Sequence, residues 1–210
     1  MNNFLQNRTE IDNCVNAINK VRLVQHGCWL KNWDIANVIP LLTDGNLLDM
    51  GAFCSWVLHN AVKLGITGVK WGIDLTPITD RQPGCFYWQC DLCETIFRDG
   101  HFQNITCLSV IEHGVDFVKF LTEASRLLKV GGHLYLTFDY WEPKWHHAIK
   151  DWNILDRSDV EGLIATAKAL HLEITSPVDW KTSEAPIHGS DYYPVNGVDY
   201  TFGSLAFVRV

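Results

Sequence analysis

Asn46-Leu47-Leu48-Asp49-Met50-Gly51-Ala52-Phe53-Cys54-Ser55 reads as an apolar strand that ends on a carboxylate, turns through a glycine and leads into the apolar-periodic segment Trp56 to Leu64. Strand, loop and helix in that order set backbone N–H groups and a helix N-terminus beside the strand's carboxyl end. That arrangement suits a polar or charged ligand, first of all a nucleotide-like one. Lys70-Trp71-Gly72-Ile73-Asp74-Leu75 is a second short apolar run ending on an acid. Its spacing from the first is close to the roughly 20-residue offset at which an acid meets a ribose hydroxyl. Asp49 and Asp74 are therefore expected to face one crevice.

The pattern continues outward. Cys85 to Leu92 is an aromatic strand that ends on a third acid, Asp91, and Asn104 to His113 is a buried-type strand running into a polar turn. A helix is predicted over Val115 to Leu128, with Phe117, Phe120, Leu121, Ala124 and Leu127 on one face, closed by Lys129-Val130-Gly131-Gly132 before a strand over His133 to Phe138. Alternation from 46 to 138 is the mark of a parallel sheet with helices on both faces. Right-handed crossovers bring all the strand ends to one side. Upstream, residues 10 to 26 predict a helix broken at Gly27, and a shorter one runs from Trp33 to about Pro40; both are expected to cover the crevice or the sheet edge. Downstream, Tyr140 to His147 is rich in tryptophan and reads as a substrate wall with Trp141, Trp145 and Trp152. A helix from Arg157 to Leu170, capped near Asp156 or Ser158, then leads to strands over Leu172 to Val178 and Tyr200 to Val210, which most simply pair antiparallel.

At 210 residues the chain predicts one domain, with 1–45 as a helical cover, 46–138 as the core, and 139–210 as substrate wall and terminal strands. A net charge of −7 without any Lys/Arg run disfavours a nucleic-acid partner. The first residues lack the form of a signal peptide and no apolar run reaches membrane-spanning length, so a cytoplasmic protein with no membrane partner is expected. Seven scattered cysteines read as free thiols. Cys90-x-x-Cys93 lacks the two further ligands of a structural zinc site. Asp139 with Glu112 or His113 lacks a close multi-acid cluster, so no metal site is expected.

The acid-ended strands and the 46–55 loop resemble the class I S-adenosylmethionine-dependent methyltransferases of small-molecule type. Ser109-Val110-Ile111-Glu112-His113-Gly114 is similar to that family's Glu-His stretch, and Leu127 to Gly132 to its turn before the fifth strand. The resemblance implies a Rossmann-like methyltransferase fold: a single doubly wound, mostly parallel seven-stranded α/β sheet with an antiparallel last strand. It implies S-adenosyl-L-methionine as cofactor. Asp49 and Gly51 match the loop near the methionine part, and Ala52, Phe53 and Ser55 of the same loop are expected to touch the cofactor. Asp74, beside Leu75, matches the ribose acid, and Asp91 with Leu92 matches the adenine-reading position. Ser109, Val110 and Ile111 match the segment packed on the adenine ring. Phe53 and Ser55 stand where the family usually has its second and third glycines.

Methyl transfer from a sulfonium is a direct displacement, so alignment and exclusion of water are the protein's main tasks. The expected acceptor is a small molecule, an oxygen of a sugar or secondary metabolite, which needs a base. Glu112, His113, Asp139, His146, His147, His188 and Asp191 are the candidates, with His146 first and His113 next. Two rivals make different demands. An NAD-dependent oxidoreductase requires a Gly-x-Gly-x-x-Gly turn, which is absent, and a helical Tyr-x-x-x-Lys pair, which Pro143 breaks between Tyr140 and Lys144. A catalytically silent binding module of the same fold requires Phe53 to fill the methionine pocket. Oligomeric state has no signature in the sequence.

Overall fold

Leu47 and Leu48 are both fully buried, in core clusters on opposite faces of the strand they share, β1 (Leu47–Met50). A strand buried on both faces requires helices above and below it. The computed structural model, which describes residues 1–142, 152–182, 187–188 and 198–210, supplies them. After α1 (Arg8–Lys20) and α2 (Asn32–Val38) the chain runs through β1, α3 (Val57–Lys63), β2 (Lys70–Asp74), β3 (Phe86–Gln89) and β4 (Phe102–Leu108). Then follow α4 (Phe117–Leu127), β5 (Leu128–Tyr140), α5 (Arg157–Ala169), β6 (Leu172–Ile174), β7 (Ile187–His188) and β8 (Asp199–Arg209).

Seven strands lie in the order β3-β2-β1-β4-β5-β8-β6, and β7 pairs with the first residues of β8. The pairs from β3 to β5 are parallel, and β8 is antiparallel to both β5 and β6. This is the doubly wound sheet with an antiparallel last strand that the alternation predicts. On one face α4 and α5 lay Phe120, Leu121, Leu163 and Ala167 over Leu48, Ile105, Leu134 and Leu136. On the other, α2 and α3 lay Ile35, Val38, Val57 and Leu58 over Leu47, Tyr135 and Ala206. Each of the valine, leucine, isoleucine and phenylalanine side chains contributes about 1.5–3 kcal/mol by leaving water.

Residues ahead of β1 bind the far end of this sheet. The Leu5 N–H donates to Phe202 O at 2.9 Å and the Ala206 N–H to Asn2 Oδ1 at 2.6 Å. Phe4 packs where a Cβ on Gly203 would stand 2.9 Å from its ring and 2.5 Å from Phe138. Leu5, Ile11, Leu30 and Trp33 then form a cluster with Tyr200 and Phe202 at the start of β8.

Several boundaries differ from the sequence reading for local reasons. α1 ends at Lys20 rather than 26, because Arg22 turns left-handed at φ 59° and Val24 pairs instead with the side chain of Asn60. β4 opens at Phe102 and closes at Leu108, where Ser109 adopts φ 53°. β5 is longer than 133–138: the expected turn at 129–132 is an irregularity inside the strand, set by a register shift between Phe102 and Asn104. β6 stops at Ile174. Among the described residues no helix is long and apolar enough to cross a membrane.

Candidate active site

The loop after β1 is tied down at both sides. Gly51 at φ +83° lets the chain turn where a Cβ would meet Val110 Cγ2 at 2.2 Å, so the loop presses directly on the turn after β4. The Gly51 and Ala52 N–H groups both donate to Ile73 O, at 2.8 and 2.9 Å. The Phe53 N–H donates to Asp74 Oδ2 at 3.1 Å, and Asp74 Oδ1 accepts from the Thr76 N–H and hydroxyl at 2.8 and 2.7 Å. Asp74 thus joins two loops while staying half-buried in a cleft wall. Asp49 does the opposite. It is fully buried beneath the loop, accepts from the hydroxyls of Ser55 and Thr106, and is pushed by burial up to about 6.

A cleft of about 810 Å³ runs along the carboxyl ends of the strands, from Asp74 on β2 to Asp139 on β5. Those two strands are three spacings of ~4.8 Å apart, roughly 14 Å. Asp74, Leu75, Asp91 and Leu92 line one end. At the other end Lys31, Asp34, Glu112, Asp139, Trp152 and Tyr200 form a chamber. Each acid comes from a different element: Asp34 from α2, Glu112 from the turn after β4, and Asp139 from β5.

The chamber is electrostatically strained. Lys31 Nζ lies 3.9 Å from Asp34 Oδ2, which also accepts from Ser109 Oγ at 3.2 Å; the left-handed Ser109 makes that contact. Trp152 Nε1 donates to Asp139 Oδ2 at 2.7 Å. Burial raises Asp34 to about 6, with Lys31 pulling the other way. Burial and then the Asp139 charge hold Glu112 well above the usual carboxylate range, and burial raises Asp139 too. Burial opposes the charge on Lys31, but Asp34, Asp139 and Glu112 together raise it above its ordinary value.

Of the residues expected to touch the cofactor, Gly51, Phe53, Ser55, Asp74 and Leu75 line the cleft on the β1–β2 side, and Asp91, Leu92, Ser109 and Val110 complete it. Asp49, Ala52 and Ile111 lie behind it, so Asp49 supports the loop instead of sharing the crevice with Asp74. His113 lines the cleft at its exposed rim. His146, His147, Trp145 and Asp191 lie outside the described residues, as does the side chain of His188. Sequence reasoning missed Lys31 and Asp34. Their one signal was polarity at positions flanked by Leu30, Trp33 and Ile35 on an otherwise apolar face.

Residues 51–136 match the model of the family described as methyltransferase domain. The fold around that methyltransferase domain is that of the class I S-adenosylmethionine-dependent methyltransferases. Solved structures agree on the fold. The geranyl diphosphate C-methyltransferase of Streptomyces coelicolor A3(2), in complex with Mg²⁺, geranyl diphosphate and S-adenosyl-L-homocysteine, is 19% identical; 80% of this chain and 73% of that one align, at TM-score 0.59. A methyltransferase from Haloferax volcanii, in complex with the activator Trm112, is 15% identical over 94% of both chains, at 0.62. Haemonchus contortus phosphoethanolamine N-methyltransferase 2 is 17% identical over 89% of this chain and 54% of that one, at 0.59. No curated protein matches the sequence.

The cofactor of the methyltransferase domain is S-adenosylmethionine, and the residues present fit it. Gly51 gives the loop the close approach that a Cβ would forbid, and a carboxylate stands at the end of β2 inside the cleft. Phe53 replaces a family glycine without plugging the site: it is 48% exposed, and the cleft remains open beside it.

Proposed function

We propose that the chain methylates a small-molecule acceptor bound in the Asp34–Glu112–Asp139 chamber. The cofactor then lies at the β1–β3 end, held by the 51–55 loop, by Asp74 and Leu75, by Asp91 and Leu92, and by Ser109 and Val110. The observation that carries this reading is the continuity of the cleft from Asp74 to Asp139 past Gly51, which gives two ligands room end to end. In this division residues 1–45 are the cover over the acceptor end, 46–138 the cofactor core, and 139–210 the rest of the acceptor wall. Leu5, Leu30 and Trp33 packed on Tyr200 and Phe202 support that assignment.

Bound S-adenosylmethionine supplies an electrophilic methyl group, to which an acceptor lone pair bonds as the sulfur–carbon bond breaks and its electron pair returns to sulfur. The protein's residues position and deprotonate. A hydroxyl acceptor on a sugar or secondary metabolite needs a base; Asp34, raised to about 6 by burial, is ionised at neutral pH and supplies one. His113 at the rim is the second base, and His146 keeps its place as a candidate from the sequence. The buried acids favour a small acceptor over a nucleic acid, whose phosphates they would repel. That none of the seven cysteines is in a disulfide supports a reducing, cytoplasmic setting.

Calorimetric titration with S-adenosylmethionine and S-adenosylhomocysteine, with NAD as control, tests this reading. Binding of either sulfur compound and not NAD is expected. Absence of both overturns it and leaves the fold as a binding module for another ligand.

A further inference from the structure

The chamber buries three carboxyl groups together. Asp34, Glu112 and Asp139 are 3%, 0% and 5% exposed, and among the described residues Lys31 is a cation that faces all three. Among the described residues, Asp34 Oδ1, Asp139 Oδ1 and both oxygens of Glu112 have no hydrogen-bond partner. These side chains line the cleft. Buried acceptors without donors are costly, and the cost is relieved by a ligand that brings donors and positive charge. A hydroxyl brings one donor and no charge. An ammonium brings up to three donors and the charge.

The walls suit the same ligand. Trp152 and Tyr200 meet edge to face at 5.3 Å beside the acids, and Lys31 Nζ stands 4.1 Å over the ring of Phe202. Trp152 and Tyr200 line the cleft, whereas Phe202 holds Lys31 from behind it. A metal ion is a poorer occupant, because among the described residues no group of three or more His, Cys, Asp or Glu is arranged to hold one.

We propose that Asp34, Glu112 and Asp139 form an ammonium-binding subsite and that the methyl acceptor is an aliphatic amine entering as its cation. This rests on the reading that the cleft also takes S-adenosylmethionine. Before the nitrogen can attack it must lose a proton, and Asp34, the carboxyl that is ionised at neutral pH, takes it. One N–H bond breaks, one O–H bond forms on the carboxylate, the electron pair stays on nitrogen, and the ion pair becomes a neutral pair. Burial favours the protonated acid that results. Among the described residues, the titratable groups facing Asp34 are Lys31, Asp139, Glu112 and Cys14, and His113 faces Asp139.

The test uses the full chain saturated with S-adenosylhomocysteine and titrated calorimetrically near neutral pH. The probes are ethanolamine, 2-phenylethylamine and piperidine, each beside its oxygen counterpart: ethylene glycol, 2-phenylethanol and cyclohexanol. At least one amine is expected to bind about tenfold or more tighter than its alcohol, the factor of one hydrogen bond to a charged group. Glu112→Gln and Asp34→Asn should each reduce that preference while S-adenosylhomocysteine still binds. If no amine outbinds its alcohol in protein that holds S-adenosylhomocysteine, the subsite is wrong. A protein that fails to bind S-adenosylhomocysteine refutes the cofactor reading instead. The wild-type comparison decides the matter alone if a variant does not fold.

Discussion

Replacing Gly51 by alanine strikes the cofactor loop where it is tightest. The residue sits at φ +83°, and a Cβ there would meet Val110 Cγ2 at 2.2 Å and Cγ1 at 3.0 Å. Two costs add. A residue with a Cβ in the left-handed region costs roughly 1–2 kcal/mol, and forcing a methyl into a packed side chain costs roughly 1–3 kcal/mol. Their sum, about 2–5 kcal/mol, should appear in urea denaturation as a lower midpoint with an unchanged slope. Val110→Ala separates the two, since it removes both clashing carbons and leaves φ alone. The double variant Gly51→Ala/Val110→Ala should therefore recover about 1–3 kcal/mol relative to the sum of the singles, beyond the ~0.5 kcal/mol within which independent sites add. A loss under ~1 kcal/mol for Gly51→Ala, or a merely additive double variant, refutes the claim that this glycine brings the loop onto the β4 turn. The Gly51 and Ala52 amides share Ile73 O, so displacing the loop should also weaken S-adenosylhomocysteine binding in any variant that folds.

Asp74→Ala should weaken S-adenosylhomocysteine binding by about 1.5–3 kcal/mol, roughly 10- to 150-fold. Unchanged affinity in a folded variant removes Asp74 from the site. Asp156→Ala breaks the capping box in which Asp156 and Asp159 bond each other's backbone at the start of α5, at a cost of about 0.5–2 kcal/mol by thermal or chemical unfolding. The pH dependence follows from Asp34, carried by burial from 3.8 to about 6. Between those values the native state binds more protons than the unfolded one, so stability should fall as pH rises from about 4 to beyond 6. The contribution is at most roughly 3 kcal/mol. Asp34→Asn should flatten that stretch of the stability–pH curve, and parallel curves for variant and wild type would count against the buried charge. Asp49, buried with the same direction of shift, adds to the fall in both.

What the sequence makes legible here is what one strand and its loop decide locally. Leu47 and Leu48, Ile73 and the run from Asn104 to Leu108 declare buried strands, and the acids after them declare where the strands end. Asp74 and Asp91 therefore stand on the cleft as expected. Asp49 shows the limit of that logic. It has the same local signature, yet its register beside Thr106 and the return of Ser55 over it close it off, and both partners are set by pairing and loop path rather than by neighbours in sequence. The chamber is legible only in part, for a stronger form of the same reason: Glu112, Asp139 and Trp152 stand among the candidates read from the sequence, and Lys31 and Asp34 do not. Its three acids are contributed by α2, the β4 turn and β5, and Asp34 looks in sequence like any polar residue of a seven-residue helix. The packing of Leu5, Leu30 and Trp33 on Tyr200 and Phe202, with Ile35 and Val38 on Tyr135 and Ala206, brings α2 over the end of β5. The residues proposed to hold the cofactor are thus written in the strand ends, whereas those proposed to hold the acceptor depend on how the N-terminal segment docks. An exchange of acceptor in this fold should therefore be engineered first at Lys31 and Asp34, with Asp74 and Gly51 left untouched.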